Sequence, residues 1–240
     1  MKSAFKIVFL LPIFFSFSCS KEEVTVKTDD FIKAADMSFL PLIESEGTIY
    51  YNSQMVAEDA LLTLKKSGCN TIRIRLWHTP TDNQSSFNEV KILSQRVKNL
   101  GMKVWLTVHY SDTWADPGSQ IKPQAWNNLT FNQLKIQFEN YTSQILSEIQ
   151  PDIFQIGNEI NNGFIYPEGN LSSNESQFVS LLAAASSVIR LERPTTKIMI
   201  HFAGIEGASW FFSKTAAIDY DYIGLSYYPI WHGTDFNALQ

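Results

Sequence analysis

The sequence predicts an α/β fold with a parallel, barrel-forming sheet. Six short apolar runs recur along the 240 residues, amphipathic stretches separate them, and polar or aromatic side chains end nearly every run. Strands joined by crossover helices must run parallel, and a parallel sheet covered by helices is either a closed barrel or an open doubly wound sheet. An open nucleotide-binding sheet would place a glycine-rich phosphate loop after its first strand. The first run ends instead in Asp36-Met37-Ser38-Phe39. The barrel is favoured, although six strands leave it unclosed.

The N-terminus reads as a targeting segment. Lys2 and Lys6 supply positive charge, and Ile7 through Phe17 form an apolar run too short to span a membrane comfortably. Cys19, flanked by Ser16, Ser18 and Ser20, resembles the lipobox cysteine of bacterial lipoproteins. The expectation is a signal peptide over 1–19, lipid attachment at Cys19 and a tether over 20–30, on an exported protein. The alternative is a plain secretory signal cut nearby.

The strands are expected at Phe31 to Phe39, Asn70 to Trp77, Lys103 to Tyr110, Ile153 to Glu159, Lys197 to Phe202 and Tyr222 to Tyr228. Between them, apolar stripes of helical period run through Val56, Ala60, Leu61 and Leu64. The next pass through Val90, Leu93, Val97 and Leu100, and through Phe131, Leu134, Phe138, Tyr141, Ile145 and Ile149. A fourth takes in Phe178, Leu181, Ala185 and Val188. Gly68 and Gly101 stand where a left-handed residue closes a helix, and Pro151 and Pro194 stop the two later ones.

Composition narrows the function. The net charge of −5, with no dense cluster of Lys and Arg, argues against a nucleic-acid partner. Aromatics at 13% suffice both for a core and for stacking on sugar rings. Of two cysteines, Cys69 is left alone after Cys19 and reads as a small buried hydrophobe. No Cys or His spacing suits a metal, and no cofactor is expected.

The candidate site residues come from the strand ends. Arg73, Arg75 and Trp77 alternate along the second strand and share the lumenal face. Two guanidinium groups there imply a carboxylate partner, and an ion pair that merely orders the interior is the competing reading. His109 ends the third strand, with Asp112, Trp114 and Asp116 on the loop beyond it. A histidine beside an indole suits a saccharide subsite, whereas a core histidine and a loop anchor are the plain alternatives. Asn158-Glu159 ends the fourth strand. A carboxyl group there suits a general acid, and a helix cap with its first-turn acid is the alternative.

Taken together, several stretches resemble glycoside hydrolase family 53, the endo-β-1,4-galactanases. They are Asn70 to Trp77, His109 to Pro117, Gly157-Asn158-Glu159-Ile160, Lys197 to His201 and Gly224 to Pro229, within a similarity spanning about Phe31 to Gly233. The resemblance implies a (β/α)8 barrel of the large retaining glycosidase clan, with its first six β/α units over 31–240. It also implies endo-hydrolysis of β-1,4-galactan in pectin side chains by double displacement. Carried over by position, Glu159 would be the acid/base, Asn158 would bind the hydroxyl beside the anomeric carbon, and Arg73 would support the nucleophile. His109, Trp114 and Tyr228 would line the cleft, with Arg75 beside Arg73.

Two departures stand out. Thr107 occupies a position where the family usually has Asp, and the family's nucleophilic glutamate belongs to a seventh strand, expected beyond Gln240. Asp36, Glu44, Glu46 and Glu206 match no such nucleophile, Glu44 and Glu46 reading as surface loop acids. A retaining enzyme needs two carboxyl groups roughly 5 Å apart, so the 240 residues alone are expected to be inactive. A surface glycan-binding lipoprotein without catalysis, or an endo-β-glycanase for another polysaccharide, are the competing functions.

Overall fold

The computed structural model describes residues 31–235 and 237. The expected leader, Cys19 and tether lie outside these residues. The unit that begins at Ile32 carries six strands in one sheet, β1 (Ala34–Asp36), β2 (Thr71–Leu76), β3 (Lys103–Val108), β4 (Ile153–Ile156), β5 (Lys197–Ala203) and β6 (Tyr222–Ser226). Each pairs in parallel with the next in sequence order. Arg73 on β2 and Ser226 on β6 both reach the segment beyond β4. Contacts that skip intervening strands require a curled sheet, and the arrangement is that of a (β/α)8 barrel through its sixth unit.

Seven helices connect or follow the described strands: α1 (Leu40–Ser45), α2 (Ala60–Lys66), α3 (Phe87–Asn99), α4 (Phe131–Glu148), α5 (Glu175–Glu192), α6 (Ala208–Lys214) and α7 (Pro229–His232). Their starts are chemically marked. Asp59 and Ser86 accept hydrogen bonds from the backbone of α2 and α3, and Thr130 with Gln133 forms a capping box on α4. Gly68 and Gly101 adopt φ of +93° and +70° directly after the caps of α2 and α3. There Cys69 N–H reaches Leu64 O, and Met102 N–H reaches Val97 O.

The period-two pattern of each strand sorts the two faces. Ile72, Ile74, Leu76, Val104, Leu106, Val108, Phe154, Ile156, Ile198 and Ile200 are all buried on the helix side. A run of ring contacts, Tyr110 to Phe138 at 4.4 Å, Phe138 to Phe164 at 5.9 Å and Phe164 to Phe178 at 6.0 Å, ties the loops after β3 and β4 to α4 and α5. Facing the lumen are Arg73, Arg75, Trp105, Thr107, Gln155, Met199 and His201. Thr107 donates to Gln155 Oε1 at 3.2 Å within this layer.

Several expected boundaries move, each for a local reason. β1 is only three residues long because Asp36 Oδ1 accepts from both the backbone and hydroxyl of Ser38, which turns the chain. β3 and β4 stop short because Tyr110, Gly157 and Glu159 take positive φ. β6 stops at Ser226, before Tyr228 caps α7. The first helix begins at Ala60, and Val56 is exposed in the turn before it. α1, α6 and α7, which were not expected, each span fewer than two turns, and proline stands in the first turn of α1 and α7. Glu44 lies in α1, not a loop, and its carboxylate meets Arg96 at 2.7 and 2.9 Å. Cys69 is half-buried rather than sealed, its thiol donating to Lys33 O and Thr71 O.

Candidate active site

The turn after β4 carries the principal candidate. Gly157 with φ +75° and Glu159 with φ +51° bend the chain across the end of the sheet. A side chain on Gly157 would also strike Ile160 Cγ2 at 2.5 Å, so the turn needs glycine there. β5 clamps the turn. Ile160 N–H donates to His201 O at 3.0 Å, and Asn161 exchanges two hydrogen bonds with the Ala203 backbone at 2.7 and 2.9 Å.

Glu159 is half-buried. Its backbone N–H donates to His201 Nδ1 at 3.1 Å, and its carboxyl Oε1 accepts the Ser226 hydroxyl at 2.6 Å. Ser226 Oγ also meets His201 Nε2 at 3.1 Å. Glu159 is thus held by β5 and β6, not by the two arginines or by His109. Its carboxylate faces an open cleft of about 370 Å³, lined also by Trp114, Asp116, Tyr228, Trp231 and His232. Trp114 and Tyr228 are each 46% exposed and Trp231 73%, so ring faces are available to a ligand. A larger hollow of about 460 Å³ lies between α1 and α3 and contains none of the candidate residues.

The remaining candidates sit beneath the cleft. Arg73 pairs with Asp36 and donates to Asn158 Oδ1 at 2.9 Å, so this guanidinium has its carboxylate. Asn158 is 2% exposed. Its Nδ2 donates to Ala115 O at 2.8 Å, which engages both ends of the amide within the protein. Arg75 is 3% exposed and has no ion-pair partner among the described residues, contrary to the expected carboxylate. Its guanidinium is stacked among Phe39 at 4.6 Å, Trp77 at 4.5 Å and Trp114 at 5.2 Å, and Nε donates to Ser85 at 3.0 Å. Burial lowers its proton affinity, opposed by the more distant Asp36 and Glu89 charges.

His109 is 1% exposed and accepts the Ala115 N–H on Nδ1 at 3.0 Å, fixing the loop that carries Trp114. It does not line the cleft. Burial first, then the charges of Arg73 and Arg75, holds its imidazole neutral, well below the ordinary histidine range. His201 is pushed down to about 3 by burial and by Arg73. Asp116 Oδ2 accepts from Trp114 Nε1 at 3.1 Å and Oδ1 from Gly118 N at 2.8 Å, which orients the indole.

The structure therefore gathers Glu159, Trp114 and Tyr228 at the cleft and places Arg73, Arg75, Asn158 and His109 under it. Ser226, His201 and Trp231 were not singled out by sequence reasoning. The pairing of Ala203 with Ser226 and of His201 with Gly224 brings the first two beside Glu159, and that register has no signature in either strand alone.

Comparisons with known proteins identify the family and the fold. The family model for glycosyl hydrolase family 53 matches residues 32–240. The endo-β-1,4-galactanase of Bacillus subtilis is 34% identical over 223 residues, 85% of this chain and 51% of that protein. The arabinogalactan endo-β-1,4-galactanase of Cellvibrio japonicus is 34% identical over 84% of this chain and 58% of its own length. Among solved structures, the family 53 catalytic domain of Ignisphaera aggregans superposes with a TM-score of 0.82 at 38% identity, covering 88% of this chain and 63% of that one. A fungal β-1,4-galactanase gives 0.81 at 28% identity, over 87% and 67%. The chain thus spans between half and two thirds of the length of these relatives. With its six parallel β/α units in the same order and a family match running through all of them, the chain belongs to glycosyl hydrolase family 53.

Proposed function

We propose that the protein acts in the endo-hydrolysis of β-1,4-galactosidic bonds of type I arabinogalactan, with Glu159 as proton donor. One observation carries the reading. Glu159 has one carboxyl oxygen tied to Ser226 and the other, Oε2, without a hydrogen bond to any described residue, at a cleft walled by exposed Trp114, Tyr228 and Trp231. Indole and phenol faces suit the apolar faces of galactose rings, and a free carboxyl oxygen can protonate the bond laid between them. The galactanase names of its relatives support galactan as the polymer.

In this reading cleavage proceeds with retention. A second carboxylate, from outside the described residues, attacks the anomeric carbon while Oε2 gives its proton to the leaving oxygen; Glu159 then takes a proton from water to release the sugar. Asp116 is a poor nucleophile candidate, because both of its oxygens hold the Trp114 loop. Arg73, paired with Asp36 and Asn158, sets the turn from below. The N-terminal leader and Cys19 support export with lipid attachment to the bacterial envelope.

The test is product formation on galactan, mannan and xylan by the full-length protein that the gene encodes, with and without Glu159→Gln. Galactan is expected to be cut, and the substitution to lower the rate by roughly 10² to 10⁴, the usual worth of a positioned general acid. Galactan bound without any cleavage would instead support a capture protein. Faster cutting of mannan or xylan would reassign the polymer.

A further inference from the structure

We infer that His201 and Ser226 are positioning residues for Glu159, and that they select Oε2 as the oxygen from which the proton leaves. The inference rests on the proposed role of Glu159 as the acid and deepens it. A closed ring of three hydrogen bonds carries it, and its direction is fixed by one group that has no choice. The backbone N–H of Glu159 can only donate, so His201 Nδ1, 3.1 Å away, must accept. A neutral imidazole accepting at Nδ1 carries its proton on Nε2. His201 is held neutral by its burial and by the nearby Arg73 charge. Nε2–H then donates to Ser226 Oγ at 3.1 Å, and the single hydroxyl proton of Ser226 goes to Glu159 Oε1 at 2.6 Å.

With Oε1 committed as an acceptor, the acidic proton of Glu159 belongs on Oε2. In the step that breaks the glycosidic bond, the Oε2–H proton passes to the glycosidic oxygen, which keeps the electron pair of its former bond to the anomeric carbon. The attacking carboxylate supplies the new bond at that carbon.

The seat of the imidazole is built for this. A Cβ on Gly224 would lie 2.7 Å from Met199 Sδ and 3.0 Å from His201 Cδ2, so glycine leaves the room in which the ring lies. The Ile160 N–H on His201 O ties the same residue to the turn a second time. The charged and titratable groups that act on the ring are Arg73 from β2, His109 after β3 and, through Ser226, the Glu159 carboxyl; Asp116 and His232 line the cleft that Glu159 faces.

Long-range ¹H–¹⁵N spectra of the histidine-labelled full-length protein test the direction of the ring. Between pH 5 and 7.5 His201 is expected as the Nε2–H tautomer throughout. An Nδ1–H tautomer, or an imidazolium, at pH 7 overturns the inference. Crystal structures of Ser226→Ala and Ser226→Thr test the positioning. The Glu159 carboxyl should leave its single orientation in the first and keep it in the second; an unchanged carboxyl in Ser226→Ala refutes a positioning role.

Turnover supplies the functional readout. Ser226→Ala should slow galactan cleavage at least about tenfold more than cleavage of a dinitrophenyl β-galactobioside, whose leaving group needs no protonation. Ser226→Thr should restore the ratio. Equal losses on both substrates would make the serine merely structural. If Glu159→Gln leaves cleavage intact, the proposed function fails while the spectra still decide the ring; if it abolishes cleavage and Ser226→Ala leaves the substrate ratio unmoved, only the positioning fails.

Discussion

Acidification should destabilise this protein through His201 before most of its carboxylates are protonated. In the fold the imidazole is pushed down to about 3 by burial and by Arg73, whereas in the unfolded chain it titrates near 6.5. On lowering the pH the unfolded state therefore takes up the proton first. The stability contributed by keeping the ring neutral is whole above about 6.5 and drains away as the pH falls toward 3. At pH 5 the unfolded imidazole is about 97% protonated and the folded one hardly at all, which corresponds to about 2 kcal/mol. Against a total of roughly 5–15 kcal/mol this is a large fraction. His109, lowered by burial and the two arginines, acts in the same direction. The assay is urea unfolding followed by tryptophan fluorescence at pH 7.5 and 5.0, for the native protein and for His201→Asn, whose amide oxygen can still accept the Glu159 N–H. The native protein should lose about 2 kcal/mol more than the variant, a midpoint difference on the order of 1 M urea. Equal losses in the two proteins would refute the reasoning.

Two further substitutions probe the scaffold. Gly163→Ala places a Cβ 2.0 Å from Gly169 O and 2.7 Å from Leu171 N at a φ of +101°, so backbone must move; thermal unfolding should show a loss of about 3 kcal/mol or more. Arg75→Lys keeps the charge but loses the planar stack on Phe39, Trp77 and Trp114 and the Nε bond to Ser85; chemical denaturation should report a loss of about 1–3 kcal/mol, and no loss would mean the stack contributes nothing.

Much of the scaffold was legible because it is written locally. The alternation in Thr71–Leu76 sorts itself into lumenal arginines and outward aliphatics without help from the rest of the chain. Gly68 and Gly101 announce helix ends through a backbone conformation that other residues resist. The short helices α1, α6 and α7 span fewer than two turns, which gives an apolar stripe little room to repeat, and α2, of the same length as α6, was legible because its stripe extends through Val56 ahead of it. The site was legible by residue type and less so by depth. Arg75, Asn158 and His109 stand at strand ends as cleft residues would, yet the β3–α4 loop folds over them, and Ala115 bonds to both Asn158 and His109. Nothing in a run of letters reveals that cover. Likewise, Ser226 and His201 acquire meaning only when parallel register sets β5 and β6 beside the turn after β4.

Arg73 has a consequence that reaches past its own contacts. Beyond burial, which is the larger cause, its positive charge disfavours protonation of both His109 and His201, so one cation acts on two rings on opposite flanks of the Glu159 turn. A substitution that neutralises position 73 would ease both shifts in the same direction, although burial, the larger cause at each ring, would still hold both imidazoles below the ordinary histidine range. The acid response of the Trp114 loop and that of the Glu159 brace are therefore linked through one guanidinium that never needs to touch the sugar.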